Sequence, residues 1–130
     1  MWDLDMDKTL FEFLDTQVPE GNKAQNGFKD AAYVQVAHVV NSSHGLNVNK
    51  EHIQNRVKSV KKQVYRTLRA IVNKRGFGWN SEHKQLTYHE DSMWNSYILE
   101  YPEAKYYKNK KFEFFDIWEN IFCEDIATGQ

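Results

Sequence analysis

Between Lys50 and Arg75 the chain places nine basic residues (Lys50, Arg56, Lys58, Lys61, Lys62, Arg66, Arg69, Lys74 and Arg75) against one acid, Glu51. Gln54, Asn55 and Ser59 stand among them, and amides and hydroxyls both donate and accept hydrogen bonds. Guanidinium and ammonium groups hold phosphate oxygens. Asn and Gln can form paired hydrogen bonds with adenine, and Lys can donate to guanine. This is the side-chain set of a surface that grips a polyanion, or of a basic helix face that is only solvated. Residue types alone leave both readings open.

The charge distribution fits the first and leaves the second open. The net charge is −1, so Lys50 to Arg75, at +8, leaves −9 on the rest of the chain. The first twenty residues (Asp3, Asp5, Asp7, Glu12, Asp15, Glu20) and the last stretch (Glu113, Asp116, Glu119, Glu124, Asp125) are acidic. Such polarity suits a protein that turns one face to a polyanion and the others away from it.

Other chemistry is poorly provided for. His38, His44, His52, His83, His89 and Cys123 contain no C-x-x-C or H-x-x-x-H pair, so no metal is expected. Cys123, beside Ile121 and Phe122, reads as a small core residue. Glu119, Glu124 and Asp125 read as a solvated acidic terminus. No P-loop or nucleophile elbow appears, and no carboxylate pair stands near a base, so neither an enzyme nor a cofactor nor a small-molecule substrate is expected. A single cysteine rules out an internal disulfide, no apolar run reaches the roughly 20 residues that span a bilayer, and the acidic start does not resemble a leader. The expectation is a chain of the cytosol or nucleus that does not engage membranes.

The elements that must hold the basic segment read as helices throughout. At 130 residues, 41% of them hydrophobic, one domain is expected over 1–130. Leu10, Phe11 and Leu14 mark a first helix over about 7–16, which "VPEGN" ends. Phe28, Ala32, Val36, Val39 and Val40 mark a second, closed by Gly45. Asn49 is placed to cap a third. There Ile53, Val57, Val60, Val64, Leu68 and Ile71 recur at 4, 3, 4, 4 and 3, a stripe that must be buried. Gln54, Asn55, Lys58, Ser59, Lys61, Lys62, Arg66 and Arg69 form a polar face from which acids are absent, so the face forgoes the opposite-charge pairs that solvated helices use. At about 1.5 Å per residue this helix would be about 37 Å long. "GFGW" (76–79) stops it, with Phe77 and Trp79 free to fold back, and a loop of about ten residues follows. Met93, Trp94, Tyr97 and Ile98 mark a further helix, capped by Asp91 or Ser92 and broken by Pro102. A last helix over about 110–123 uses Phe112, Phe115, Ile117 or Trp118, and Phe122. No strand pattern of useful length is read.

Three helices with tight connections, the third one basic, resemble helix-turn-helix DNA-binding folds. More specifically, the chain resembles the Myb/SANT-like DNA-binding domains of plant nuclear proteins and of proteins related to Harbinger-type transposons. The likeness rests on "QVPEGNK" (17–23), "GFKDAAYVQV" (27–36), "IQNRVKSVKKQV" (53–64), "GFGW" (76–79), "MWNSYILEYPEAKYYKNKKF" (93–112) and "IFCEDIATG" (121–129), which together cover nearly the whole chain.

The resemblance implies an all-α fold: a three-helix core over 1–75 with an aromatic-rich helical extension over 76–130. It implies Trp2 or Phe11, Tyr33 and Val57 at the three core positions, the valine standing where Myb repeats carry an aromatic. It also implies base contacts from Gln54, Asn55, Lys58 and Ser59, which flank the third core position. Phosphate contacts are expected from Lys50, Arg56, Lys61, Lys62, Arg66 and Arg69, with an ion pair to an acid of the first helix as the alternative for Arg56. The partner implied is double-stranded DNA, the role a transcriptional regulator or transposon-derived DNA-binding subunit, and the location nuclear. SANT-like domains also bind proteins, and the extension is dense in aromatics. Tyr106, Tyr107 and Trp118 are therefore expected at an interface with a protein partner or in a homodimer, unless burial within one chain accounts for them.

Overall fold

The structure, a computed structural model, describes residues 2–24 and 27–128, with side chains described except at 24 and 123–128. Cys123, Glu124 and Asp125, and what was expected of them, therefore lie outside the described side chains.

Helix α1 (Leu4–Gln17) starts at Asp3, whose side chain accepts from the Met6 amide at 2.9 Å. A short antiparallel hairpin, β1 (Lys23–Ala24) with β2 (Gly27–Phe28), leads into α2 (Asp30–His44). Gly45 ends α2 in the left-handed conformation, φ 63°, which glycine adopts without steric penalty. Two hydrogen bonds then fold the chain back: the Asn41 Nδ2 donates to the Val48 carbonyl at 2.9 Å, and the Val48 amide donates to Asn41 Oδ1 at 2.8 Å. One amide thus clips the whole turn. Asn49 caps α3 (Lys50–Ser59) as expected, accepting from the His52 amide, while the Asn49 amide donates to His52 Nδ1.

Helix α3 runs without a break into a π-helical turn (Val60–Tyr65) and then into α4 (Arg66–Val72), forming one long third helix. The π turn alters the buried stripe. Ile53, Val57, Val60, Leu68 and Ile71 are buried as expected, but between Val60 and Leu68 the fully buried residue is Tyr65, and Val64 is only half-buried. A π turn takes up one residue more than an α turn, and that moves the inward position from 64 to 65.

Residues expected to form a loop instead form a second antiparallel hairpin, β3 (Phe77–Asn80) with β4 (Gln85–Tyr88), in which Trp79 faces Leu86. Four-residue strands are too short to show alternation, and partners outside the hairpin supply their burial. The Trp79 ring lies 4.5 Å from that of Phe115, and its Nε1 donates to Asp116 at 3.1 Å. Asp116 also accepts from Ser81 Oγ and Lys84 Nζ, each at 3.1 Å, so one carboxylate ties the hairpin to the last helix. Helix α5 (Asp91–Glu100) begins after Glu90 rather than under an Asp91 or Ser92 cap, and a 3-10 turn (Pro102–Tyr107) follows. Helix α6 (Phe115–Thr128) starts later than expected, with Phe112 and Phe114 buried ahead of it.

The fold is all-α in class, with the two hairpins as minor elements. Helix α1 packs on α2 and α6, α2 on α3, and α6 on the π turn. Phe11, Tyr33 and Val57 all lie in the core, whereas Trp2 is only partly buried against it. The same cluster takes in Phe114, Trp118 and Phe122 from the extension.

A charged contact locks this arrangement. Arg56 Nε and Nη2 donate to the two carboxylate oxygens of Asp7 at 3.0 and 2.6 Å, and the Asp7 side chain is only 11% exposed. Removing one member of a shielded, two-point pair strands the other. Asp7→Ala is expected to lower stability by about 2–3 kcal/mol, read as a lower urea midpoint with unchanged slope. The Asp7→Ala, Arg56→Ala double variant should lose less than the sum of the two singles.

Candidate nucleic-acid interface

Burial of one stripe of the third helix presents the opposite one. Its exposed residues are Glu51, His52, Asn55, Lys58, Ser59, Lys62, Gln63, Arg66 and Ala70, followed by Asn73, Lys74 and Arg75 beyond the helix end. In an α-helix, residues four apart advance by about 40° around the axis. The wider π turn removes part of that advance, so Lys58, Lys62 and Arg66 rise in a row nearly along the axis.

The cations expected to meet phosphate divide into two groups. Lys50, Arg56 and Arg69 each hold a carboxylate of the same chain. Lys50 Nζ lies 2.7 Å from Asp30, and this hydrogen bond raises the lysine pKa above its ordinary value. Arg56 holds Asp7, the alternative noted for it from sequence. Arg69 Nη1 donates to Glu119 at 2.7 Å, and Glu119 also accepts from the buried Tyr65 hydroxyl at 2.6 Å. Glu119 is thus a bridge between the long helix and α6 rather than part of a solvated terminus. Lys61 is half-buried and engaged within the chain. In contrast, Lys58, Lys62 and Arg66 are exposed and have no carboxylate partner among the described residues. A cation that already holds a carboxylate has its charge partly compensated and fewer N–H donors left for a phosphate; these three keep all of theirs.

The residues expected at base edges also separate. Asn55, Lys58 and Ser59 are exposed, whereas Gln54 is half-buried. Gln54 and Lys58 line a groove of about 370 Å³ on one flank of the helix, whose floor includes Phe28, Tyr33 and Val57 and whose rim carries Lys61, Lys62 and Arg66. Asn55 and Ser59 line a groove of about 420 Å³ on the other flank, beside Trp2, Met6 and Val48. The two amides, adjacent in sequence, thus face different sides, because successive helical residues lie about 100° apart.

The aromatics assigned to a protein interface divide as well. Trp118 is 6% exposed and packs edge-on to Phe11 at 5.7 Å, so it belongs to the core and is corrected to a structural role. Tyr107 is half-buried and stacks on Phe112 at 5.2 Å. Tyr106 alone of the three is largely exposed, at 67%.

Sequence reasoning left two contributors unplaced. Tyr65 gave no signal, since it stands outside the regular stripe. Lys74 lay within the basic run, but only the fold brings it to a groove with Lys62 and Arg66. Among the described residues, no group of three or more His, Cys, Asp and Glu is arranged to hold a metal ion, and no helix is long and apolar enough to cross a membrane.

Comparison with known proteins bears on this surface. The family model described as Myb/SANT-like DNA-binding domain matches residues 1–97. An uncharacterized protein of Arabidopsis thaliana is 28% identical over 116 residues, a match covering 86% of this chain and 37% of that protein. The chain therefore spans little more than a third of the length of that relative. No solved structure matches the chain significantly.

The division of the cations has a measurable consequence. Arg69→Ala is expected to cost about 1 kcal/mol through loss of the partly exposed Glu119 pair. Lys58→Ala, Lys62→Ala and Arg66→Ala should each stay within about 0.5 kcal/mol of the parent. Thermal melts in the absence of any ligand distinguish the two groups.

Proposed function

Because this chain belongs to the Myb/SANT-like DNA-binding domain family, we propose that it binds duplex DNA in a sequence-specific way, with the N-terminal half of its third helix in the major groove. The observation that carries the reading is the exposed row Lys58, Lys62 and Arg66 beside Asn55 and Ser59, on a helix whose Lys50, Arg56 and Arg69 hold carboxylates of the same chain. The groove is about 12 Å wide and admits a helix. Helices α1 and α2 and the Asn41 clip supply the rigid mount that such a helix needs.

The roles follow from reach and chemistry. Asn55, Lys58 and Ser59 meet base edges, with Gln54 at the margin of one flanking groove. Lys62 and Arg66 hold phosphates. Lys61 joins them from the groove rim if it leaves its contact within the chain. Lys50, Arg56 and Arg69 are assigned to holding the helix in place, and any charge they lend to phosphate is secondary. A protein of this kind acts in the nucleus as a transcriptional regulator or as the DNA-binding subunit of a transposon-derived system.

One observation supports a second reading, in which the extension recruits a protein partner or a second copy of the chain: Leu99 and Tyr106 are 86% and 67% exposed. A mass in solution equal to one chain, unchanged by Tyr106→Ala, would remove the homodimer from consideration.

The first test needs no knowledge of the target site. Fluorescence anisotropy with a mixed-sequence 20-base-pair duplex across a salt series should give a log–log slope of about −4 or steeper. No binding at low salt would overturn the DNA reading. On a selected site, Asn55→Ala should cost about 1–3 kcal/mol while changing affinity for random DNA little; Lys62→Ala should weaken both and reduce the salt slope by about 1. Equal losses on the two sequences would remove Asn55 from base reading.

A further inference from the structure

The basic row does not end where a straight helix leaves a curved groove. Lys62 and Arg66 also line a second groove, of about 310 Å³, on the side of the helix toward α5. Thr67 and Ala70 line it on the helix side, Lys74 stands at its far end, and Tyr97, Tyr101 and Ala104 form the opposite side. Lys74 and Tyr97 are shared with a third groove, which adds Arg75, Ser92 and Ser96. These two grooves, joined through Lys74 and Tyr97, form one continuous track along the C-terminal half of the long helix. Its cations are Lys62, Arg66, Lys74 and Arg75, and the acids that face it are Glu103 and Glu100.

Resting on the DNA reading above, we propose that this track holds the sugar-phosphate backbone of the duplex beyond the base-reading segment, so that α4, the residues after it and α5 form a second DNA contact. Charge and continuity support it. Lys74 and Arg75 are exposed and have no carboxylate partner among the described residues. The hydroxyls of Thr67 and Ser96, which line the track, are groups that bond phosphate oxygens, while that of Ser92 donates to Glu90 at 3.1 Å. Length supports it too. From Asn55 to Lys74 the helix and its end run about 28 Å at about 1.5 Å per residue, more than twice the width of a major groove. If bases are read near Asn55, Lys74 lies past the groove edge, where the next available group is the phosphate backbone. The π turn contributes by keeping Lys62 and Arg66 in line, so both halves of the helix present cations to the same side.

The test is the salt dependence of binding to the mixed-sequence 20-base-pair duplex, made with the full chain. Lys74→Gln is expected to make the log–log slope shallower by about 0.9, the contribution of one phosphate contact, with the thermal melt unchanged. Ala70→Glu places a carboxylate in the track at an exposed helical position and is expected to weaken binding by tenfold or more. A slope unchanged by Lys74→Gln, or an affinity within twofold of the parent for Ala70→Glu, overturns the proposal. If Lys62→Ala still reduces the slope in either case, the DNA reading stands without the second contact. Absence of binding by the parent chain overturns both.

Discussion

Burial of Ile53, Val57, Val60, Tyr65, Leu68 and Ile71 is the constraint from which the rest of this domain follows. A helix that buries one stripe exposes the opposite one, and here that stripe carries Asn55, Lys58, Ser59, Lys62 and Arg66. The hydrophobic driving force that builds the core therefore also orients the basic face. Because the stripe runs through both halves of the helix, the cations extend over a length greater than three short helices alone would supply.

Charge of the opposite sign then sets which cations remain available. Asp7 on α1 and Glu119 on α6 each meet an arginine of the long helix, at 2.6 and 2.7 Å. Two carboxylates from the acidic ends of the chain are thus structural partners of the basic helix. Pairing inside the fold and binding outside it draw on the same set of basic residues, and tertiary position divides the set.

The extension serves the same helix. The β3–β4 hairpin follows the end of α4, and Asp116 joins it to α6 through Trp79, Ser81 and Lys84. Phe115 and Phe122 pack around Tyr65 at the π turn, at 5.9 and 5.3 Å. The turn is thus enclosed by aromatic side chains and tied to Glu119, which accounts for a full-sized aromatic at the one position where the helix widens. Phe112, Phe114, Phe115, Trp118 and Phe122 of the extension are all buried.

The sequence by itself determined the helices, the Gly45 stop, the Asn49 cap, the buried stripe apart from its centre, and the basic run. These depend on local periodicity and on capping chemistry that acts within a few residues. It did not determine the β3–β4 hairpin, whose strands are too short for a pattern and are buried by residues distant in the chain. Nor did it determine the exchange of Val64 for Tyr65, since a π turn breaks the period from which the stripe is read. The transfer of Trp118 to the core and the separation of Lys58, Lys62 and Arg66 from Lys50, Arg56 and Arg69 were also decided by the tertiary structure. Each depends on what stands across from a side chain in space, and for Arg56 and Arg69 that carboxylate lies about fifty residues away in the chain.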